Sequence, residues 1–447
     1  MNYQVAVIGG GPAGYTAAET AGKAGLSVVL FERQNLGGVC LNEGCIPTKT
    51  LLYAAKTYDS ARHASKYGVS AADVSFDLPK IIARKQKVVR KLVLGIKSKL
   101  TAHGATIVQG EATILDKHHV QCAGQTYTCE NLILCTGSDT FVPPITGIDQ
   151  VPYWTHRNAL DNKELPASLA IIGGGVIGME FASFFNSLGV QVTVIEMMDE
   201  ILGGMDKALS AMLRADYAKR GITFLLNAKV TVFAKDADHI KVSYEQAEDS
   251  RSVTAERLLM SVGRRPVTND FGLENLALKK TERNHIAVDE HLQTSLPGVY
   301  ACGDLTGFSL LAHTAVREAE VAVHHILGME DAMSYRAVPG VVYTNPEIAG
   351  VGETEESLQH KGIDYRVSQL PMSYSGRFVA ENEGVNGVCK LLLAADDTLL
   401  GAHLLGNPAS EIITLAGMAI ELRLRASDWK KMIFPHPTVC EIFKEAL

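Results

Sequence analysis

Gln4-Val5-Ala6-Val7-Ile8-Gly9-Gly10-Gly11-Pro12-Ala13-Gly14 decides the fold: an apolar run followed by glycines at positions 9, 11 and 14. Tyr15 to Ala24 are mostly small residues that read as a helix, and Ser27 to Phe31 read as a second strand ending at Glu32. Strand, G-x-G-x-x-G, helix, strand and acid is the order of a dinucleotide-binding unit. Gly9 permits the tight turn, Gly11 lets a pyrophosphate approach the backbone, and Gly14 lets the helix pack closely on the strand. The helix N-terminus then faces the phosphates, and Glu32 is placed to bond ribose hydroxyls.

The same unit recurs. Leu169 to Ile172 read as a strand, followed by Gly173-Gly174-Gly175-Val176-Ile177-Gly178, a helix through Leu188, and a strand from Gln191 to Ile195 ending at Glu196. The first glycine and the acid are 23 residues apart in both copies, 9 to 32 and 173 to 196. Intact glycines (Gly173, Gly175 and Gly178 in the second copy) and intact acids in both favour two occupied sites. A carboxylate at Glu196 suits the free 2′-hydroxyl of NAD and repels the extra phosphate of NADP. Met197, Met198, Asp199 and Glu200 provide no arginine to receive that phosphate.

A chain of 447 residues that is 47% hydrophobic has material for two or three domains. Its formal net charge of −7 argues against nucleic acid or an anionic membrane as the main partner. There is no apolar run of bilayer length, and no basic n-region or cleavage site ahead of the first strand. Eight cysteines in such a chain point to a reducing cytoplasm, where a disulfide is more often catalytic than structural.

Between the two units, Thr48 to Lys66 and Leu78 to Leu100 read as helices, the second with a solvated face of Lys and Arg. Turn-punctuated strands from Thr106 to Leu134 lead into Cys135-Thr136-Gly137. After the second unit, strands at Thr223 to Leu226 and Val253 to Ser261 lead to Val262-Gly263-Arg264. The strand Val299 to Ala301 leads to Cys302-Gly303-Asp304 and a helix from Leu311 to Ile326. From Tyr335 the texture changes to strands at Val338 to Tyr343, Tyr365 to Leu370, Gly387 to Leu393 and Leu399 to Leu405, with helices after them. No glycine-rich phosphate loop occurs there. This is a separate α+β domain, joined near Met329 to Ser334.

Two stretches carry redox and acid–base chemistry. In Gly37-Gly38-Val39-Cys40-Leu41-Asn42-Glu43-Gly44-Cys45-Ile46-Pro47-Thr48-Lys49 two cysteines lie five apart. In a regular helix that offset leaves the Cα atoms roughly 8–9 Å apart, wider than the ~7 Å a disulfide spans. Pairing therefore requires the backbone to leave helical geometry near Gly44, as a glycine permits; otherwise the two are buried thiols. Zinc spacing and a second cysteine pair are both missing. Near the C-terminus, Pro435-His436-Pro437-Thr438-Val439-Cys440-Glu441 presents an imidazole from a stiff turn, with a carboxylate five residues on. A histidine held by a carboxylate suits a general base near neutral pH. His118-His119 and His324-His325 lack companion ligands for a metal, and the six other cysteines read mainly as small buried hydrophobes.

The set resembles the pyridine nucleotide–disulfide oxidoreductases over essentially the whole chain, most of all the dihydrolipoamide dehydrogenases. The residues that carry the resemblance are Gly37 to Pro47 with Lys49, the His-Pro-Thr-x-x-Glu at His436 to Glu441, and both glycine units with their acids. It implies an α/β fold with two Rossmann-like nucleotide-binding domains, for FAD and NAD, plus a C-terminal α+β dimerisation domain. The implied order is residues 1–142 for FAD, 143–264 for NAD, 265–333 returning to the FAD domain, and 334–447 for the interface.

FAD is expected at Gly9, Gly11, Gly14, Glu32, Lys49, Thr136, Gly137, Gly303 and Asp304. NAD, or its nicotinamide side, is expected at Gly173, Gly175, Gly178, Glu180, Glu196, Gly263 and Arg264, with Glu180 pairing Lys49. Catalysis is expected at Cys40 (substrate side), Cys45 (flavin side), His436 and Glu441, with no metal. The implied reaction oxidises dihydrolipoyl groups and reduces NAD+. The implied partners are a second copy of the chain, whose His436 serves this chain's cysteines, and a lipoyl-bearing carrier of a 2-oxo acid dehydrogenase or glycine cleavage complex. The carrier is expected to be another protein. Departures stand at Val39, Glu43 and Phe434, where the family often has Thr, Val and His. An acid at Glu43 could raise the thiolate pKa values or receive the carrier.

Alternatives are a related flavin disulfide reductase acting on another small disulfide and a non-catalytic flavin-bearing subunit. Glutathione reductases usually take NADPH and have Val and Lys where this chain has Ile46 and Thr48. Mercuric reductase needs a further C-terminal cysteine pair, where only Cys440 stands. A non-catalytic subunit would be expected to lack the cysteines or the base.

Overall fold

The computed structural model describes residues 2–447. The chain divides into two compact units. The first comprises Met1–Thr50, Ala83–Phe141 and Arg264–Ser334; the second comprises Leu51–Ile82, Val142–Gly263 and Tyr335–Leu447.

The first unit is built on a seven-stranded sheet. Thr106–Gln109, Val28–Glu32, Asn2–Ile8 and Gln125–Leu134 lie side by side in parallel, and Val299–Ala301 adds a further parallel strand against Gln125–Leu134. His119–Cys122 and Ala112–Asp116 extend the sheet antiparallel from the other end of Gln125–Leu134. Val5, Ala6, Val7, Val28, Val29, Leu30, Leu132, Ile133 and Leu134 are all essentially inaccessible. Strands covered on both faces read as continuous apolar runs, and this makes Gln4 to Ile8 legible. Pro12–Lys23 covers one face with Ala17, Ala18 and Ala21, beside Ala319, Ala322 and Val323 of Ala312–Ile326. Alanines on both helices allow them to lie close. In Leu78–Ala102 most basic residues are exposed, as expected, but Lys85 is buried.

In the second unit four parallel strands run Thr223–Leu225, Gln191–Ile195, Ser168–Ile172, Arg257–Met260. A three-stranded antiparallel ribbon, Lys229–Asp236, His239–Gln246 and Asp249–Ala255, accompanies them. The expected strand from Val253 to Ser261 is therefore two strands in two sheets. They part at Glu256, whose N–H donates to Ser168 Oγ and whose carboxylate accepts from Ala167 N–H.

The C-terminal part folds around a five-stranded antiparallel sheet, in the order Gly340–Val342, Ile348–Gly352, Leu399–Leu405, Val388–Leu393, Arg366–Pro371. Ile348–Gly352 was not anticipated, because Ala349, Gly350 and Gly352 have low strand propensity. Ala409–Glu421 packs Ile413, Ala416 and Ile420 on this sheet. Buried Lys390 joins it to the 143–264 segment: its Nζ donates to Asp206 Oδ2 at 2.6 Å and is also paired with Glu355.

Candidate functional site

The helix that carries Cys40 spans only Gly38–Glu43. It stops at Gly44, whose φ of −140° and ψ of −109° lie outside helical geometry, and a new helix begins at Cys45 and runs to Arg62. This is the departure that the five-residue offset demanded, and it brings the Cys40 and Cys45 side chains into hydrogen-bond contact. Thr48 ties the break down, its N–H and its hydroxyl both donating to Gly44 O at 3.0 and 2.6 Å. Asn42 Nδ2 holds the preceding loop through Leu36 O and Gly38 O.

The Cys40 thiol is pushed far above the usual thiol range, first by its hydrogen bond to Cys45, then by burial and the charge of a Cys45 thiolate. Lys49 opposes the shift.

This segment lies on the first glycine loop. Gly37 N–H donates to Gly10 O at 2.8 Å, and a Cβ on Gly38 would come 2.7 Å from Gly11 Cα. The loop itself needs glycine where the helix crosses the strand, since a Cβ on Gly14 would stand 1.7 Å from Gly9 O. Gly11, in contrast, faces open space; nothing but Gly38 Cα comes within 4 Å of its Cβ position. Glu32 closes the unit. Its carboxylate accepts Gly10 N–H at 2.7 Å and Gln34 N–H at 2.6 Å, while the helix N-cap, Gly11, makes no side-chain capping bond.

The second loop repeats each feature. A Cβ on Gly178 would come 2.1 Å from Gly173 O, and nothing lies within 4 Å of one on Gly175. Glu196 accepts Gly174 N–H at 2.6 Å and Met198 N–H at 2.8 Å, and Gly175 leaves its helix uncapped by any side chain. Two uncapped helix N-termini beside open glycine backbone fit two pyrophosphates. The two acids, each still holding spare lone pairs, fit ribose hydroxyls.

Asp304 and its neighbours form a third polar group, in the first unit. Ser138 Oγ donates to Asp304 Oδ2 at 2.5 Å, while Arg264 donates from Nε to Ser138 Oγ and from Nη2 to Ser138 O. The Arg264 side chain thus joins Asp304, of the expected flavin set, and Gly263 closes the segment of the second unit. Thr136 Oγ1 donates to Val267 O, and Val267 N–H to Gly137 O. Below Asp304, the buried Glu318 accepts Gly303 N–H at 2.5 Å. Glu180, 3% exposed, accepts Tyr343 N–H at 3.1 Å within the second unit.

His436 and Glu441 are also in the second unit. His436 Nδ1 lies 3.0 Å from Glu441 Oε1, and the other carboxylate oxygen accepts Thr438 N–H at 2.8 Å. Since a carboxylate accepts, Nδ1 is the donor here, and in the neutral ring Nε2 then carries the lone pair. The Thr438 N–H first, and then His436, holds the Glu441 carboxyl below the usual carboxylate range. The imidazole is 80% exposed within this chain.

The other histidine pairs have local partners. His119 pairs with Asp116, His324 with Asp331, and His325 Nδ1 with Tyr300 OH. Among the described residues no group of three or more His, Cys, Asp or Glu could hold a metal ion, and no helix is long and apolar enough to cross a membrane.

The family description for pyridine nucleotide-disulphide oxidoreductases matches residues 3–319, and that for their dimerisation domain matches residues 338–447. The chain belongs to this family. The dihydrolipoyl dehydrogenase of Geobacillus stearothermophilus is 37% identical, over 98% of this chain and 94% of its own. That of Mycoplasma pneumoniae is 38% identical, over 100% and 98%. Among solved structures, the HOCl-induced flavoprotein disulfide reductase RclA from Escherichia coli is 31% identical, with a TM-score of 0.88 and 99% of both chains covered. LpdA from Mycobacterium tuberculosis is 27% identical, with a TM-score of 0.91 over 99% of this chain and 98% of that one.

The family's dihydrolipoyl dehydrogenases use FAD and NAD(H), and two clamped glycine loops fit that pair of dinucleotides. The matched dimerisation domain supports a homodimer. Three residues beside the expected site residues escaped the sequence reading. Tyr15 has its hydroxyl pKa raised by burial and then by the charges of Cys40 and Cys45, so it lies within their field. Its place directly after Gly14 was the available signal. Ser138 and Glu318 carried none, because only the fold brings them to Asp304 and Gly303.

Proposed function

We propose that this chain is a dihydrolipoyl dehydrogenase, oxidising dihydrolipoyl groups on a carrier protein with reduction of NAD+ to NADH. The observation that carries the reading is the helix break at Gly44, which puts Cys40 and Cys45 in contact beside the first glycine loop. The relatives named dihydrolipoyl dehydrogenase support it along the whole chain.

In the oxidised enzyme Cys40 and Cys45 are joined. A substrate thiolate attacks Cys40 Sγ, the Cys40–Cys45 bond breaks, and its electron pair goes to Cys45. The second substrate sulfur then attacks the first, its proton passes to Cys40 as that sulfur leaves, and the lipoyl disulfide closes. His436 takes the substrate proton at Nε2, because the thiolate is the competent nucleophile. Glu441 holds Nδ1–H and so orients the ring. FAD, when bound, would take up the electron pair from the cysteines, and NAD+ would accept it as hydride.

Gly9, Gly11, Gly14, Glu32, Thr136, Gly137, Gly303 and Asp304 hold FAD, and Gly173, Gly175, Gly178, Glu196 and Gly263 hold NAD, with Glu196 excluding the 2′-phosphate. Lys49 and Glu180 serve the flavin–nicotinamide side, and Arg264 fixes Asp304. Residues 1–142 and 265–333 form the FAD domain, 143–264 the NAD domain and 334–447 the interface. In the homodimer, His436 of one copy serves the cysteines of the other. The carrier belongs to a 2-oxo acid dehydrogenase or glycine cleavage complex in the cytoplasm.

The test is turnover with dihydrolipoamide against glutathione, each with the NAD and NADP couples. Turnover confined to dihydrolipoamide with NAD+ is expected. Preference for glutathione or NADPH, or a purified protein without flavin colour, would overturn the reading.

A further inference from the structure

Cys135 and Cys302 lie 167 positions apart in the sequence and follow directly on two neighbouring parallel strands. Leu134 and Ala301 are the last paired residues of those strands, and Cys302 N–H donates to Leu134 O at 3.0 Å. Both thiols enter one core cluster, 6% and 0% exposed, and the Cys302 side chain is hydrogen-bonded to Cys135. Neighbouring strands run ~4.8 Å apart, inside the ~4.4–6.8 Å Cα spacing that disulfides accept. No catalytic role falls to either cysteine in the reading above.

We infer that Cys135 and Cys302 form a second redox pair, which hydrogen peroxide, a small neutral oxidant, closes to a disulfide across the first glycine loop. One thiol, as thiolate, attacks a peroxide oxygen; the O–O bond breaks, leaving a sulfenic acid and, after protonation, water. The other thiol attacks the sulfenic sulfur, the S–S bond forms, and a second water leaves. Two electrons pass from the pair to the peroxide.

The location gives the bond its consequence. Cys135 O stands 2.3 Å from the Cβ position of Gly9, and Cys135 Cβ stands 3.4 Å from that of Gly14. Thr136-Gly137 follows one cysteine and Gly303-Asp304 the other. The disulfide staples together two chain ends that border the loop, and slows their separation. Burial, then the bond to Cys135, holds the Cys302 thiol well above the usual range. The pair therefore oxidises slowly near neutral pH, and faster as pH rises.

The experiment treats the flavin-loaded homodimer with hydrogen peroxide, denatures it in N-ethylmaleimide, and maps disulfides by mass spectrometry. Cleavage after Glu130 separates Cys135 from Cys122 and Cys129. A Cys135–Cys302 linked peptide is expected, forming faster at pH 9 than at pH 7. With it, thermal unfolding should move up by on the order of 5 °C and heat-induced flavin release should slow. Cys302→Ala should keep turnover and lose the link and both shifts. Full alkylation of both cysteines, an unlinked sulfinic acid on either, or linkage to Cys122 or Cys129 would overturn the inference. The wild-type map decides even if the variant fails to fold.

Discussion

Replacing Glu196 by Gln tests whether one carboxylate both shapes the second glycine loop and selects NAD. Glu196 accepts two backbone N–H groups, Gly174 at 2.6 Å and Met198 at 2.8 Å, one on each oxygen. A glutamine has a single acceptor oxygen, so its amide nitrogen must face one of those N–H groups donor to donor. One charge-assisted bond is lost, worth roughly 1.5–3 kcal/mol. At about 2 kcal/mol that is about 30-fold in an equilibrium constant. The KM for NAD+ should rise by about that factor, with kcat changed much less, because the loop binds both ground and transition states. Loss of the negative charge also removes the repulsion of a 2′-phosphate, so the preference for NAD over NADP should narrow by about tenfold.

The assay is steady-state turnover with each nucleotide, alongside flavin content and thermal unfolding. Glu32→Gln provides the internal control, since it breaks the same bonds in the first loop. That variant should lose flavin on purification while the remaining holoenzyme keeps its KM for NAD+. A Glu196→Gln enzyme with KM and nucleotide preference unchanged would refute the argument. So would one that loses flavin as readily as Glu32→Gln does.

Gly44→Ala places a Cβ 2.9 Å from Val39 O, a backbone atom, so the link between the two cysteine helices must shift; turnover should fall by more than about tenfold, and full activity with normal thiol titration would count against the break as the pairing device. Lys390→Met leaves the Asp206 carboxylate buried without its cation, at a cost of about 3–5 kcal/mol; urea unfolding should show it, and Lys390→Met with Asp206→Asn should recover part of the loss. Asp331 has its pKa lowered to about 2, by the Arg317 hydrogen bond first and then by His324. Its stabilisation is thus fully present above the ordinary carboxylate range, about 4, and lost as pH falls through about 2. The stability gap between wild type and Asp331→Asn should be full at neutral pH and narrow in acid, and a gap that widens in acid would contradict it.

Both nucleotide units were legible because their signal is local. Spacing of glycines, a buried apolar strand and an acid at a strand end all fall within a window of about thirty residues, and each residue type has its own physical reason. The redox loop was legible as a conditional: five residues in a helix cannot pair, so Gly44 had to break the helix, and it does. The ribbon from Lys229 to Ala255 escaped because Asp249–Ala255 is exposed along most of its length and shows no alternation of apolar and polar residues. Arg264 followed the strand before it into the second unit in the sequence reading, but the two-stranded pairing of Arg264–Pro266 with Ser138–Thr140 takes it to Asp304. Cys135 and Cys302 read correctly as buried, and their mutual contact was invisible because sheet register alone creates it.

The repeat extends further than its glycines and acids, and this accounts for the position of the cysteines. In the first copy the chain leaves Glu32, turns, and returns so that Gly37 N–H meets the carbonyl of the middle glycine, Gly10. In the second copy Leu202 N–H meets the carbonyl of the corresponding Gly174 at 2.9 Å, and Leu202, like Gly37, has a positive φ. Both returns contain Leu-Gly-Gly, at residues 36–38 and 202–204. A segment held by that bond is fixed against the glycine loop, so whatever follows it is presented beside a bound dinucleotide. After the second return comes Lys207–Lys219, an ordinary helix capped by Asp206. After the first comes the broken helix with Cys40 and Cys45. On this view the redox centre is the first copy's return segment with a cysteine on either side of a helix break, and its closeness to the dinucleotide loop follows from the duplicated unit itself.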